Sequence, residues 1–494
     1  MRRRSFFTAA AGLASGALIG APRLARAAWG SWPADLADLQ LAPERRADRV
    51  LELFVYGGLC PWDTFYCMPS WGLDNDRYLY AFGEQALLDR LGDCGLGQQL
   101  TRPFAADANG SLVHLGPWTA PLWGRSDILS RARVIIGQHD QFPHSTAVPL
   151  ALTGHRLGRP ELAGTAAAVA RHFAETEGGS NAGVPRSCVI RPGDTSRLDN
   201  VQSALSIGQH PGSSRPVELN LDQLPHLIDL LDRPATSAHR QAYDELVQGY
   251  HQSYVDRLQR PNGAPLHTPE LIAWGSVDAA RRHADALQEW VPPAALGLDQ
   301  GSACGQSHIS TPRMAARLAR HLLTSDLGIR YALWIDSGLA PTLDGGHDSH
   351  RDHLQSAAKN YSHTFETLAA AIADGSDDNT GGIDLDETMV VITSEFGRTP
   401  YQEDERAGLG HWPGASVSVL LGGPIDAPSI YGAVDRESGL ASIAANPSEL
   451  RMAILMALGI YPFAPGSFVP SDVRGATDAR SALLRLRALL GVAN

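Results

Sequence analysis

The densest group of residues that could bind a metal is the ten-residue segment 344–353. It contains three aspartates and three histidines, namely Asp344, His347, Asp348, His350, Asp352 and His353. Carboxylate oxygens combined with imidazole nitrogens suit zinc, manganese or iron, whereas calcium and magnesium prefer oxygen ligands alone. We therefore expect at least two of the six to bind a metal, and the others to support those ligands or to cap a helix.

A second candidate is Glu395, which follows an apolar run. Residues 389–392 read Met-Val-Val-Ile, and the chain then turns into Ser394-Glu395-Phe396-Gly397-Arg398. In open α/β sheets, ligands bind outside the carboxyl ends of the strands, so this carboxylate stands where chemistry commonly occurs. The alternative is that Glu395 only caps the next segment, and this stretch alone does not decide between the two.

Polar residues also follow two other apolar runs. Asp63 comes shortly after Gly57-Gly58, and His139 and His144 follow the run that ends at residue 136. The repetition indicates a shared site more strongly than any single residue does. Asp63 would serve equally well as a turn residue.

Continuous apolar runs and amphipathic stretches predict the elements that must position these residues. Strands are expected at 50–56, 133–136, 331–335, 388–393 and 417–421, and helices at 312–323, 353–373 and 449–458. Strands that alternate with helices predict an α/β fold with a mostly parallel central sheet flanked by helices. Residues 155–310 differ, because Pro, Gly, Asn and Ser separate helical patterns at 221–231 and 239–258; they predict a largely helical insertion.

The N-terminus is typical of a twin-arginine export signal. Three arginines precede a weakly apolar segment that ends in Ala25-Arg26-Ala27. The segment falls short of the roughly 20 apolar residues that span a bilayer, so no stable membrane span is expected after cleavage. Cleavage after Ala27 would leave a single domain, residues 28–494, in the periplasm or outside the cell, with the export machinery as a partner.

Charge and cysteine content limit the function further. The signal holds five arginines, so the exported chain has 36 Lys and Arg (41 minus 5) against 53 Asp and Glu, a formal charge of −17. This balance argues against a nucleic-acid partner. Five cysteines, an odd number without a paired C-x-x-C, disfavour a structural zinc site. The cysteine content allows one or two disulfides near the N-terminus, with Cys60, Cys67 and Cys94 as the candidates.

Several of these motifs together resemble a bacterial family, domain of unknown function 1501. They occur in order over nearly all of the mature chain: Gly57-Gly58, His144-Ser145-x-Ala147, Asp348-Ser349-His350, Ser394 to Pro400 and Gly410-His411-Trp412-Pro413. The family is placed in the alkaline phosphatase and sulfatase superfamily, whose α/β sheet carries metal ligands at its strand ends. The resemblance thus implies an alkaline-phosphatase-like sheet and, at the matching positions, a set of metal ligands: Asp63, Asp348, His350, Glu395 and His411.

The resemblance also implies the catalytic residues and two departures. The nucleophile position falls on His144, not on the Ser, Thr or modified Cys that forms the covalent intermediate; Ser145 stands beside it, and the sulfatase pattern C-x-P-x-R is absent. Phe396 stands where a metal-binding His is expected, which predicts one divalent ion rather than two, with zinc or manganese favoured over calcium.

The expected function is an exported, metal-dependent hydrolase of small or polymeric phosphate or sulfate esters. Ser145 would be the nucleophile, and Arg398 would hold the anion bidentately unless it forms a surface salt bridge. The alternative is a non-catalytic binding or assembly protein that retains a structural metal. A metal-dependent oxidoreductase is a weaker third option, since the sequence has no dinucleotide fingerprint or haem motif.

Overall fold

The computed structural model describes most of the chain from residue 28 to residue 492. The described ranges are 28–74, 81–156, 164–177, 186–192, 217–221, 300–304, 306–309, 311–325, 327–339, 346–374 and 381–492, with helical positions scattered between 242 and 257. No helix within these ranges is both long and apolar enough to cross a membrane. The expected export signal, residues 1–27, and most of the expected helical insertion lie outside the described residues.

Strands are numbered here in chain order. They are β1 (Arg49–Val55), β2 (Arg102–Ala106), β3 (Leu112–Leu115), β4 (Ala132–Gly137), β5 (Ser187–Arg191), β6 (Val217–Asn220), β7 (Gln300–Ala303), β8 (Gln306–Ile309), β9 (Tyr331–Asp336), β10 (Thr388–Thr393), β11 (Gly397–Arg398), β12 (His411–Trp412), β13 (Ser416–Leu421), β14 (Ser429–Tyr431), β15 (Ala433–Val434) and β16 (Ala441–Ile443).

Eight of these strands form the central sheet, in the order β14-β4-β13-β10-β1-β9-β5-β6. All neighbouring pairs are parallel except the two that β13 makes with β10 and β4. The middle strands β9 and β10 are buried along their whole length, as continuous apolar runs require in a sheet covered on both faces. The carboxyl ends of the seven parallel strands therefore share one edge of the sheet.

Helices cover both faces of this sheet. They are α1 (Pro69–Asp74), α2 (Glu84–Asp93), α3 (Ala120–Trp123), α4 (Ser126–Leu129), α5 (His144–Thr153), α6 (Thr165–Thr176), α7 (Thr311–Thr324), α8 (His353–Ala371), α9 (Pro447–Ala457) and α10 (Ala479–Leu489). Alternate residues of β1 pack into two different hydrophobic cores. Leu51 and Leu53 pack in the core shared with α7 and α8, whereas Val50 and Phe54 pack in the core shared with α9 and α10.

One charged pair lies inside the second core. Glu52 of β1 and Arg451 of α9 are both fully buried, and Arg451 donates from Nη1 to Oε2 at 2.5 Å and from Nη2 to Oε1 at 2.7 Å. Thr393 Oγ1 also donates to Glu52 Oε1 at 2.7 Å, and the Tyr331 hydroxyl donates to Oε2. These contacts join α9 to three adjacent strands through one carboxylate.

The expected architecture is confirmed at the level of fold class. The fold is α/β with a large, mostly parallel central sheet flanked by helices, and each of the five predicted strands and three predicted helices matches an observed element. The antiparallel direction of β13 was not predicted, because an apolar run does not encode strand direction. Strands β5 and β6 of the central sheet were not predicted, and both lie within the span assigned to the helical insertion. Within that span, the helical pattern at 221–231 lies outside the described residues except for Leu221, and the scattered described positions within 239–258 are helical.

The disulfide prediction was wrong. Cys94, at the end of α2, pairs with Cys304, on the turn between β7 and β8, across a sequence separation of 210. Cys60, Cys67 and Cys188 are buried and not in disulfides. Proximity in sequence suggested the N-terminal pairing, but tertiary structure decides which thiols meet.

Candidate metal centre

The polar loops gather at the carboxyl edge of the sheet. Strand β1 leads into Gly57 and Gly58, β10 leads to Glu395, and the antiparallel β13 begins at this edge. Gly57 has a φ of +117°, and a Cβ atom there would collide with the backbone of Asp348. Glycine at this position lets the segment that carries Asp348 pack directly against the end of β1.

Four side chains meet here: His144, Asp348, His350 and His411. Their possible ligand atoms all lie within 4.8 Å of one another. The central atom is Asp348 Oδ1, which is 3.5 Å from His144 Nε2, 3.4 Å from His350 Nε2 and 4.0 Å from His411 Nε2. The Nε2 atoms of His350 and His411 are 2.8 Å apart. The cluster thus draws on three parts of the chain: the first turn of α5, the segment before α8, and strand β12.

Each imidazole of the cluster has an oxygen behind it, near Nδ1. His144 Nδ1 lies 2.7 Å from Glu395 Oε1, and His411 Nδ1 lies 2.7 Å from the carbonyl oxygen of Phe142. His350 Nδ1 lies 3.5 Å from Glu403 Oε2. A proton on Nδ1 satisfies these oxygens and leaves Nε2 facing the cluster, which is the usual arrangement of metal-binding histidines.

The donor set and its spacing fit a divalent ion. In a tetrahedral zinc site with bonds of about 2.0–2.2 Å, ligand atoms lie roughly 3.3–3.6 Å apart, close to the separations between Nε2 atoms and Oδ1. His144 Nε2 is buried and has no hydrogen-bond partner within the described part of the chain, and an ion would supply one. Three nitrogens and one carboxylate suit zinc, manganese or iron better than calcium.

The charges of the cluster are strongly coupled. Burial alone would lower the pKa of His144, but its interactions with the Asp348 and Glu395 carboxylates outweigh burial and raise the pKa to about 9. Burial and the nearby Arg398 lower the pKa of His411 to about 3. Burial works against ionisation of Asp348, yet His144 and Arg398 hold the pKa of this carboxyl well below its usual range. Without a metal, His144 is therefore the protonated histidine at neutral pH and His411 is neutral.

This coupling predicts a pH dependence of stability for the metal-free protein. The folded-state pKa of His144, about 9, exceeds the unfolded value of about 6.5. The contribution of His144 is therefore complete below about pH 6.5 and is lost as the pH rises through 9, on the order of 3 kcal/mol in total. Urea unfolding of chelator-treated protein at about pH 6 and about pH 10 should show a larger fall in the unfolding free energy for the wild type than for His144→Gln. Equal falls in the two proteins would contradict the assignment.

Glu395 lies behind His144 and outside the group of four ligand atoms. Its side chain is buried, and Oε1 accepts hydrogen bonds from the backbone N–H of Gly57 at 2.8 Å and from His144 Nδ1. Oε2 is buried and has no hydrogen-bond partner among the described residues. The sheet-edge position predicted for Glu395 is confirmed, and in this geometry the carboxylate orients His144.

Arg398 is fully buried beneath the cluster. Its Nη2 donates to Asp348 Oδ1 at 2.5 Å and to the Gly57 carbonyl, and Nη1 donates to the Leu409 carbonyl at 2.8 Å. The surface salt bridge considered for this residue is excluded by its burial. Bidentate binding of a substrate anion by Arg398 would require these hydrogen bonds to break. In this geometry Arg398 instead fixes the position of Asp348.

Asp63 falls into a different group. It is buried, and its Oδ2 lies 2.7 Å from His353 Nε2, with Cys60 within ligand distance of both. The structure therefore brings together three of the five predicted metal ligands, Asp348, His350 and His411, and separates Asp63 and Glu395 from them.

The remaining predicted residues surround the cluster. Ser145 is exposed on the first turn of α5, next to His144. Phe396 is buried and its ring packs against His411, with centroids 4.2 Å apart, and against His144, at 4.9 Å. His139 Nε2 is 2.6 Å from the Glu395 carbonyl oxygen. Phe396 thus fills space that a further ligand would need.

The polar residues of segment 344–353 do not all belong to one site. Asp348 and His350 join the first cluster and His353 joins Asp63, whereas His347 Nε2 lies 3.1 Å from Asp336 Oδ2. Asp352 is exposed at the start of α8, and Asp344 lies outside the described residues. Sequence reasoning did not assign His144 to a ligand position, although its place in the polar run after β4 was the available signal.

Comparison with known proteins supports part of the resemblance. No curated protein matches the chain. The family model described as "Protein of unknown function (DUF1501)" matches residues 318–463, which is less than a third of the chain but includes Asp348, His350, Glu395, Arg398 and His411. The chain is therefore similar to DUF1501 proteins over the stretch that supplies most of the candidate metal centre.

Proposed function

We propose that this chain is an exported, metal-dependent hydrolase of phosphate or sulfate esters. His144, Asp348, His350 and His411 would hold one divalent ion, zinc or manganese. Export by the twin-arginine route, to the periplasm or beyond, is proposed from residues 1–27. The ester class is proposed from the resemblance to the alkaline phosphatase and sulfatase superfamily, and from the position of the cluster at the sheet edge.

The observation that carries the proposal is that the cluster is open on one side. The side chains of His350, Asp348 and His411 are 42%, 24% and 19% exposed. Catalytic zinc sites accept water or substrate as a ligand and can become five-coordinate. With four protein ligands, this cluster would take water or substrate as a fifth ligand from its exposed side. An ester could therefore approach these residues from the solvent.

The residues around the cluster have separable tasks in this mechanism. A bound ion would withdraw charge from an ester oxygen. Glu395 and the Phe142 carbonyl would orient His144 and His411, and Arg398 would fix Asp348. Ser145, exposed beside His144, would attack phosphorus or sulfur; the bond to the alcohol would break, and water would then release the group from Ser145.

One observation favours the second candidate, a non-catalytic binding or assembly protein that keeps the metal. Phe396 packs against two of the histidines, and Arg398 is committed to Asp348 and two backbone carbonyls. Arg398 is then not available to bind a substrate anion, and Phe396 fills the position of a further metal ligand. Metal without turnover is what this candidate predicts.

Activity assays on the purified full chain separate the two candidates. We expect zinc- or manganese-loaded protein to hydrolyse an aryl phosphate or aryl sulfate, and Ser145→Ala to lower turnover by at least about 100-fold. The matched control is Ser130→Ala, an exposed serine that follows α4 at the opposite end of β4. Stoichiometric metal with no turnover on either ester would overturn the hydrolase proposal in favour of the second candidate.

A further inference from the structure

A second group of possible ligands lies apart from the open cluster. The Cys60 sulfur, the Asp63 carboxylate and the His353 imidazole offer ligand atoms within 4.8 Å of one another, and all three residues are buried. Cys60 and Asp63 belong to the loop after β1, and His353 is the first residue of α8. A thiol, a carboxylate and an imidazole at this spacing form a mixed donor set that suits zinc.

The hydrogen bonds around His353 leave one side of the group unsatisfied. His353 Nδ1 lies 2.6 Å from Ser349 Oγ, and Nε2 lies 2.7 Å from Asp63 Oδ2. Asp63 Oδ1 is buried with no hydrogen-bond partner in the described ranges. A plain buried His and Asp pair would account for Oδ2 but not for Oδ1. With Ser349 accepting from Nδ1–H, Nε2 would be available to an ion.

A small void adjoins this group. It has a volume of about 10 Å³, and Cys60 and Asp63 line it together with Phe82, whose ring stacks on that of His353 with centroids 5.9 Å apart. Leu87 and Leu409 are further parts of its wall. A space of this size holds about one water molecule. The void therefore offers a fourth position next to two of the three donors, Cys60 and Asp63, and its wall is mostly apolar.

We infer that Cys60, Asp63 and His353 form a second, buried metal site, which binds zinc through these three side chains with one water as the fourth ligand. Binding would displace the proton of the Cys60 thiol and leave a thiolate on the ion. All three ligands are buried, whereas the four residues of the first cluster are partly exposed. The inference does not depend on turnover at that cluster.

The position of Ser349 gives this site a further consequence. Ser349 stands between Asp348 and His350, which both face the first cluster, while its own hydroxyl contacts His353. An ion on His353 would therefore steady the short segment that carries two ligands of the open centre. Three residues of the dense run, Asp348, His350 and His353, would thus be divided between two sites on one segment.

Cobalt(II) titration of the full chain tests this inference, because a thiolate ligand gives cobalt an intense charge-transfer absorption that nitrogen and oxygen ligands do not. We expect the wild type to bind two cobalt ions and to show this absorption. Cys60→Ala should bind one ion without the absorption, and His411→Ala should bind one ion and retain it. The matched control is Cys188→Ala, another buried free cysteine, which should behave like the wild type.

Wild-type protein alone can overturn the inference, so the outcome does not depend on whether a variant folds. Cobalt-saturated wild type without the thiolate absorption would exclude a sulfur ligand. The same absorption persisting in folded Cys60→Ala would assign it to another cysteine. The absence of esterase turnover would count against the proposed function, but it would not change what either cobalt result says about the second site.

Discussion

Replacing Asp348 with Asn should reduce metal affinity at the open cluster by more than the roughly 10- to 100-fold that loss of a supporting partner costs. Asp348 Oδ1 lies within 3.4 to 4.0 Å of all three histidine Nε2 atoms, so the substitution removes the one negative charge that they share. Zinc competition against a chromogenic chelator would measure the change. Asn keeps the size of the side chain and isolates the effect of charge.

Two controls accompany this measurement. Asp352→Asn alters an exposed aspartate of the same segment and should leave the affinity unchanged. Glu403→Gln alters an oxygen 3.5 Å from His350 Nδ1 and should have an intermediate effect. Because Asp348→Asn also deprives buried Arg398 of its anionic partner, His411→Ala provides a second route to the same loss. Unchanged affinity in both Asp348→Asn and His411→Ala would contradict the proposed ligand set.

The largest effect on stability is expected at the buried pair of Glu52 and Arg451. Arg451→Met would leave the Glu52 carboxylate charged, buried and without its guanidinium, and breaking a buried pair in this way costs about 3–5 kcal/mol. Urea unfolding at neutral pH, monitored by tryptophan fluorescence, would measure the loss. The lost bonds are the two from Arg451 to Glu52, at 2.5 and 2.7 Å.

A double variant distinguishes the buried charge from simple loss of packing. Glu52→Met combined with Arg451→Met removes both charges and should be more stable than Arg451→Met alone, because no unpaired charge remains in the core. Arg480→Met removes a surface arginine paired with Asp38 and should cause a far smaller loss. A double variant that is less stable than the single one would show that the pair contributes beyond charge neutralisation.

The elements of the fold were largely predictable, because the central strands are continuous apolar runs and the covering helices are amphipathic. Residues 331–335 and 388–393 could hardly be anything but buried strands. Which strands are neighbours and which one runs antiparallel could not be predicted. These features depend on how distant segments pack, and the pairing of Cys94 with Cys304 was missed for the same reason.

The candidate site was predictable in part. Asp348, His350 and His411 were expected as ligands and do meet. Asp63 and Glu395 were expected beside them, but the sequence does not show which way a side chain points after a strand ends. Glu395 turns toward Gly57 and His144, and Asp63 turns toward His353. Residue type indicated the chemistry, whereas the assignment to one cluster or the other needed the backbone path.

Metal binding would report whether the antiparallel strand β13 is paired in the correct register. His411 lies five residues before Ser416, where β13 begins, and Ser416 is paired with Gly137 of β4. A slip of two residues would keep the apolar face of β13 buried yet shift the preceding chain by about 7 Å. That distance exceeds the span of the whole ligand group. Misaligned molecules could therefore retain a packed core and still fail to take up the ion, so metal content would separate correctly aligned molecules from compact but misassembled ones.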